Sequence, residues 1–162
     1  MTQYFGKYRG TVVNNVDPLR QGRLQVGCPL VFGVGVLAWA MPCVPFAGMG
    51  EGFYMLPQIG TQLWVEFERG EANLPIWSGC FWGPGQLPTN AISPTTRTIK
   101  TLTTELTLDD ALGVTVQVMP PTVPAPCVIR INATGIEISM GAASVKLDPA
   151  KVDINNGALE VT

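Results

Sequence analysis

The sequence predicts an all-β chain in two parts. An N-terminal five-stranded barrel of the OB type precedes a C-terminal rod that closes only as a trimer, an intertwined β-helix of triangular-prism section. Three observations predict this. Apolar residues alternate in short runs punctuated by 18 Gly and 14 Pro, the pattern of a turn-rich β chain. Every aromatic residue lies within residues 1–85. From residue 99 onward, pairs of aliphatic residues recur at intervals of 7 to 9, broken once.

The barrel strands follow from alternation. Lys7–Val16 is the first and ends at the turn signal Asp17-Pro18. Gly22–Pro29 is the second, with Leu24 and Val26 on one face. Leu37–Val44 is the third, with Trp39 and Met41 on one face. In the fourth, Gln62–Phe67, Leu63, Val65 and Phe67 point one way and Trp64 and Glu66 the other. Leu74–Phe81 is the fifth. Pro42 and Pro75 require strand ends or edges, since proline donates nothing to a ladder. Five such strands with glycine bends suit a small closed barrel. The Gly- and Pro-rich stretch Gly83–Thr89 ends it. We therefore assign residues 1–85 to the barrel, 86–98 to a linker and 99–162 to the rod.

The rod is read from its repeat. The pairs are Leu106/Leu108, Val114/Val116, Ile129/Ile131, Ile136/Ile138, Val145/Leu147, Val152/Ile154 and Leu159/Val161. Ile99/Thr101 begins the series, and Met119–Pro124 is a loop inserted within it. Units this short cannot bury a core alone. Three chains around one axis bring three apolar stripes together and leave no free strand edge. The first twelve of these residues, Leu106 to Ile154, are the expected trimer core.

Composition excludes several functions. Charged residues make up 14% of the chain, against ~25% in typical domains, as expected of surface buried between subunits. Net charge is −2, with no basic run, so nucleic acid finds no electrostatic footprint. The N-terminus lacks a signal peptide, and prolines interrupt the apolar stretch Leu24–Gly50, which leaves no membrane helix. Synthesis in the cytoplasm is expected. The chain has no histidine, which removes Ser-His triads and mixed Cys/His zinc sites. Cys28, Cys43, Cys80 and Cys127 are read as buried reduced thiols.

Charged residues in the barrel, Asp17, Arg23, Glu66, Glu68, Arg69 and Glu71, yield no catalytic assignment. Glu66 and Glu68 share a strand face, but the reading is a solvated or intersubunit face, not a glycosidase pair. Gly48–Gly52 reads as a flexible loop at the barrel end that docks to a partner. Tyr54, Trp64, Trp77, Phe81 and Trp82 are placed in the barrel core and subunit interface. The competing function is an OB-type module that stacks single-stranded nucleic acid or glycan on those aromatics. No cofactor or metal is expected.

The barrel motifs carry a family resemblance. Gly10, Asp17-Pro18 and Gly22-Arg23-Leu24-Gln25-Val26 are followed by Trp39-Ala40. Pro57, Gly60, Leu63–Glu68, Gly70, Pro75 and Gly79 complete the set. In order they resemble the central-spike barrel of contractile injection systems. That family includes phage baseplate assembly protein V, the VgrG barrel of type VI secretion, and spikes of extracellular injection particles. The resemblance implies a barrel followed by a trimeric β-helix, with Gly22, Arg23, Pro57, Gly60, Glu66, Phe67, Gly70, Pro75 and Gly79 as motif positions.

It further implies a non-enzymatic homotrimeric spike in a baseplate, with hub and inner-tube components as partners and transient contact with the target membrane. No lysozyme domain fits between barrel and rod, and no hub domain precedes the barrel, so the hub is expected as a separate protein. Lacking histidine, the tip cannot bind the iron held by the HxH motif of simple phage spikes. A PAAR-type tip protein is then expected on Leu159, Val161 and Thr162.

Overall fold

A computed structural model describes residues 2–89 and 93–161, except the side chain of Glu160. The chain divides into two units between Gln86 and Leu87.

In the first unit, alternation becomes a closed barrel. Its strands are β1 (Tyr8–Asn14), β2 (Leu24–Gly27), β3 (Leu37–Pro42), β6 (Gln62–Phe67) and β7 (Pro75–Cys80). A one-turn helix, α1 (Pro29–Phe32), follows β2, and a small hairpin, β4 (Ala47–Gly48) and β5 (Glu51–Gly52), lies between β3 and β6. The barrel closes in the order β1-β2-β3-β7-β6. All pairs are antiparallel except β3 with β7. This is the expected OB arrangement. Pro42 and Pro75 sit at the end of β3 and the start of β7, where their missing donors cost nothing.

The core is filled by the inward half of each alternation. Val12, Leu24, Val26, Ala40, Leu63, Val65, Phe67 and Trp77 are buried together. Phe67 centres an aromatic cluster, with Tyr4, Tyr8 and Phe32 ring centroids at 5.8, 5.5 and 5.7 Å. Such tilted pairs add to area burial. Gly10 is required where β1 crosses this core. A Cβ there would lie 2.7 Å from Val65 Cγ2.

The β1–β2 connection is organised by one carboxylate. Asp17 accepts from the backbone N–H groups of Leu19, Gln21 and Arg23, and from the Arg23 guanidinium at 2.7 and 3.1 Å. Its side chain is almost fully buried. The Arg23 guanidinium holds its carboxyl well below the ordinary range, assisted by those amides. Arg23 in turn stacks 5.2 Å above the Trp39 ring. Gly22, at φ 72°, lets the loop turn, and its carbonyl accepts from Trp77 Nε1 at 3.2 Å.

Several expectations change. Gly48–Gly52 is a hairpin, pairing Ala47 with Gly52 and Gly48 with Glu51. Glu68 leaves the strand for a tight turn, Glu68–Gly70, so it does not share a strand face with Glu66. Glu66 instead accepts from Lys7 at 2.6 Å. Of the thiols only Cys28 is buried, and Cys43 and Cys80 are exposed. Of the aromatics, Trp77 is core, Trp64 stacks on Phe81 at 4.6 Å, and Tyr54 and Trp82 are exposed.

The second unit is one antiparallel meander of eight strands: β8 (Thr96–Lys100), β9 (Thr104–Asp109), β10 (Gly113–Val118), β11 (Cys127–Asn132), β12 (Gly135–Met140), β13 (Ala143–Leu147), β14 (Val152–Ile154) and β15 (Leu159–Val161). Each of the seven aliphatic pairs lies on its own strand, whereas Thr101 of the expected first unit falls just beyond β8, and the expected loop joins β10 to β11. The ladder differs from the interwoven expectation. Each strand pairs with its sequence neighbours in the same chain. The cause is the connections, several of which reverse the chain within two to four residues.

Carboxylates that hold turns and pairs make the fold acid-sensitive. Asp17, Glu105, Asp109 and Asp148 all have depressed pKa values, caused first by Arg23, Lys100, the Thr96 hydroxyl and the Ala150 amide respectively. Depressed carboxylates stabilise above their unfolded values and lose that contribution as pH falls, here below about pH 5. Thermal melts from pH 7 to 2 should show a falling midpoint. Asp17→Asn should lower the midpoint at pH 7 and flatten its acid dependence. Leu63→Ala should cost about 2–5 kcal/mol with no such change in pH dependence.

Candidate functional site: an uncovered apolar sheet face

Register places the repeat on a single face. Leu106 opposes Val116, Val116 opposes Ile129, Ile129 opposes Ile138, Ile138 opposes Val145, and Val145 opposes Ile154. A parallel row runs Leu108, Val114, Ile131, Ile136, Leu147 and Val152 by the same pairings. Directly opposed residues on antiparallel strands share a face. All twelve expected core residues therefore stand side by side. Leu159 and Val161 extend the two rows onto β15 through Ile154 and Val152. Thr162, the third expected tip residue, lies outside the described residues.

The rows are not covered within the chain. Ile138 is 50% exposed, Leu147 47% and Ile131 46%. A contiguous apolar sheet face left this open marks an interaction surface.

The opposite face is polar. Thr107, Thr115, Arg130, Glu137, Lys146 and Asp153 oppose one another in sequence along it. Arg130 reaches Glu137 at 3.6 Å, and Lys146 reaches Glu137 at 3.9 Å. These exposed pairs contribute little stability, about 0–1 kcal/mol each. They keep this face hydrated, opposite the aliphatic rows.

A shorter third apolar row was not anticipated. Val118, Cys127, Met140 and Ala143 continue the same face by register. The signal was present, since Val118 and Met140 extend the alternations Val114/Val116 and Ile136/Ile138. At the β8 edge Ile99 opposes Leu106, while Arg97 opposes Leu108 and pairs with Asp110 at 2.9 Å.

The barrel motif positions serve geometry. Gly60, at φ 88°, closes a turn and donates to the Val12 carbonyl at 2.8 Å. The Pro57 carbonyl accepts from Asn15. Gly70, at φ 78°, is buried beneath Phe5, and its carbonyl accepts from Tyr4 N–H at 2.9 Å. Gly79, at φ 114°, sits where the β6–β7 register slips, as a bulge requires. Pro75 opposes Phe67. Among the described residues, no cluster of three or more Cys, Asp or Glu side chains is arranged to hold a metal.

If self-association buries the face, charge on it is intolerable and charge loss behind it is not. Ile138→Glu should abolish the oligomer in light scattering. Ile138→Ala should cost about 2–5 kcal/mol per chain. Arg130→Gln, on the polar face, should leave the oligomer intact and change stability by no more than ~0.5 kcal/mol.

Two family models match the chain. Residues 8–82 match the injector OB domain of type VI secretion systems and phage baseplates. Residues 96–160 match the C-terminal trimerisation domain of phage baseplate V. No curated protein matches the sequence. The trimerisation match coincides with the meander that carries the uncovered apolar face. With both units matched in order, the chain belongs to the baseplate spike family of phage tails and type VI secretion systems.

Proposed function

We propose that the chain is a non-enzymatic spike that transmits force. One observation carries the reading: from β9 onward a sheet with rows of aliphatic residues along one face and mostly polar residues along the other, in a region that matches a trimerisation domain. Three such faces turned inward make a dry core of Leu106, Leu108, Val114, Val116, Ile129, Ile131, Ile136, Ile138, Val145, Leu147, Val152 and Ile154. At about 1.5–3 kcal/mol per fully buried aliphatic side chain, the assembled prism is stiff without chemistry at its surface. Sheath contraction would drive it through the target envelope.

The barrel's role in this reading is to join the spike to a separate trimeric hub. The exposed hairpin residues Phe46, Met49, Phe53 and Tyr54 offer an apolar contact for it. Leu159 and Val161, exposed on β15, would seat a PAAR-type tip protein, for which Thr162, next in sequence, is the third expected residue. Asp17 is committed to Arg23 and Glu66 to Lys7, which supports a structural rather than catalytic use of the barrel carboxylates.

The test uses assembled injection particles carrying a tagged chain. Electron microscopy should find the tag at the baseplate end, on the tube axis. Particles with Ile138→Glu should lose target killing, and the wild-type protein should release no fragments from peptidoglycan. A tag found elsewhere, or turnover of peptidoglycan, would contradict the proposal.

A further inference from the structure

We infer that the trimer is not interwoven: each chain builds one complete wall of the prism, and the three walls meet only through side chains. This rests on the trimeric reading above but concerns how the backbone is shared.

The ladder is the first support. Strands β9 to β14 have both neighbours supplied by their own chain. In a rod of wound chains, a strand's neighbours belong to other copies. Among the described residues, only the outer edges of β8 and β15 remain for another chain, so no strand of another copy can lie between β8 and β15.

The turns are the second. A wound chain passes a corner and continues around the axis. This chain reverses, and the strand ends oppose each other directly, Asn132 with Gly135 and Met140 with Ala143. Along one edge, three reversals use the same chemistry. Asp109 Oδ1 accepts from Ala111 and Leu112 N–H, Asn132 Oδ1 from Thr134 N–H, and Asp148 Oδ1 from Ala150 and Lys151 N–H. These are local side-chain caps that favour tight reversal.

Two glycines are the third. Gly113 opens β10 at φ 88° and Gly135 opens β12 at φ 137°. A Cβ on Gly113 would lie 2.1 Å from the Ile131 carbonyl oxygen, and one on Gly135 would lie 2.1 Å from that of Leu147. In each case the neighbour is the end of the next strand of the same chain. The sequence thus reserves space for its own following strand at two matching positions. The polar face agrees, since Glu137 finds Arg130 and Lys146 within its own chain.

Engineered disulfides read which chain lies next door. Opposed residues on antiparallel strands have Cα atoms about 4.5–5.5 Å apart, within disulfide reach. The first pair is Glu137→Cys with Lys146→Cys; the second is Thr115→Cys with Arg130→Cys. Both sit on the polar face, in a background with Cys28→Ala, Cys43→Ser, Cys80→Ser and Cys127→Ala. Light scattering first establishes a trimer; a monomer there refutes the trimeric reading, not the wall topology. Oxidised trimers should then run as single chains on a non-reducing denaturing gel, with their thiols consumed. Dimer or trimer bands would overturn the inference. So would thiols that stay free in both pairs, because the opposed residues would then not be neighbours.

Discussion

The architecture depends on one constraint: a single sheet layer cannot keep one face dry on its own. From β9 onward the meander places two aliphatic residues per strand, and a further apolar residue on several strands, on the same side. Each neighbouring pair in the ladder reinforces its register, because a one-residue slip would turn the apolar rows into water. The same rule assigns the charges. Arg130, Glu137, Lys146 and Asp153 fall between the aliphatic positions and so face the other way. In a chain with only 14% charged residues, this leaves one sheet face contiguous and apolar, the kind of surface that marks an interaction site.

The first unit solves the same problem within one chain. A sheet closed on itself has an inside, and aromatic volume fills it around Phe67 and Trp77. The unit then needs its connections fixed, and Asp17 does this for the β1–β2 loop by gathering three amides and one guanidinium. Charge here is consumed as structure. Concentration of the aromatics in one unit and of paired aliphatics in the other reflects these two ways of burying surface: a closed core needs bulk, and a thin shared stripe needs regular, narrow side chains.

Much of this was legible from alternation. Leu63, Val65 and Phe67 face inward as the period of two requires, and each aliphatic pair falls on its own strand. The parts that were not legible lack a periodic signal. Ala47–Gly48 and Glu51–Gly52 pair with no apolar alternation to announce them. Pro29–Phe32 reads as apolar chain and becomes one turn of helix. Arg69, at φ 53°, turns the chain immediately after β6 and removes Glu68 from the strand. The wound backbone expected of the repeat also failed to appear within the chain, because spacing reports how often strands recur and not which copy lies beside them. The turns at Asp109, Asn132 and Asp148, with Gly113 and Gly135, reverse the chain locally and carry no periodic apolar signal.

The most direct test of the central claim is the mass of the wild-type protein across a dilution series, by sedimentation equilibrium. The account predicts three times the 17.4 kDa chain mass, held on dilution to low micromolar concentration. A folded, β-rich species of single-chain mass would show that the apolar face needs no partner, and would contradict it.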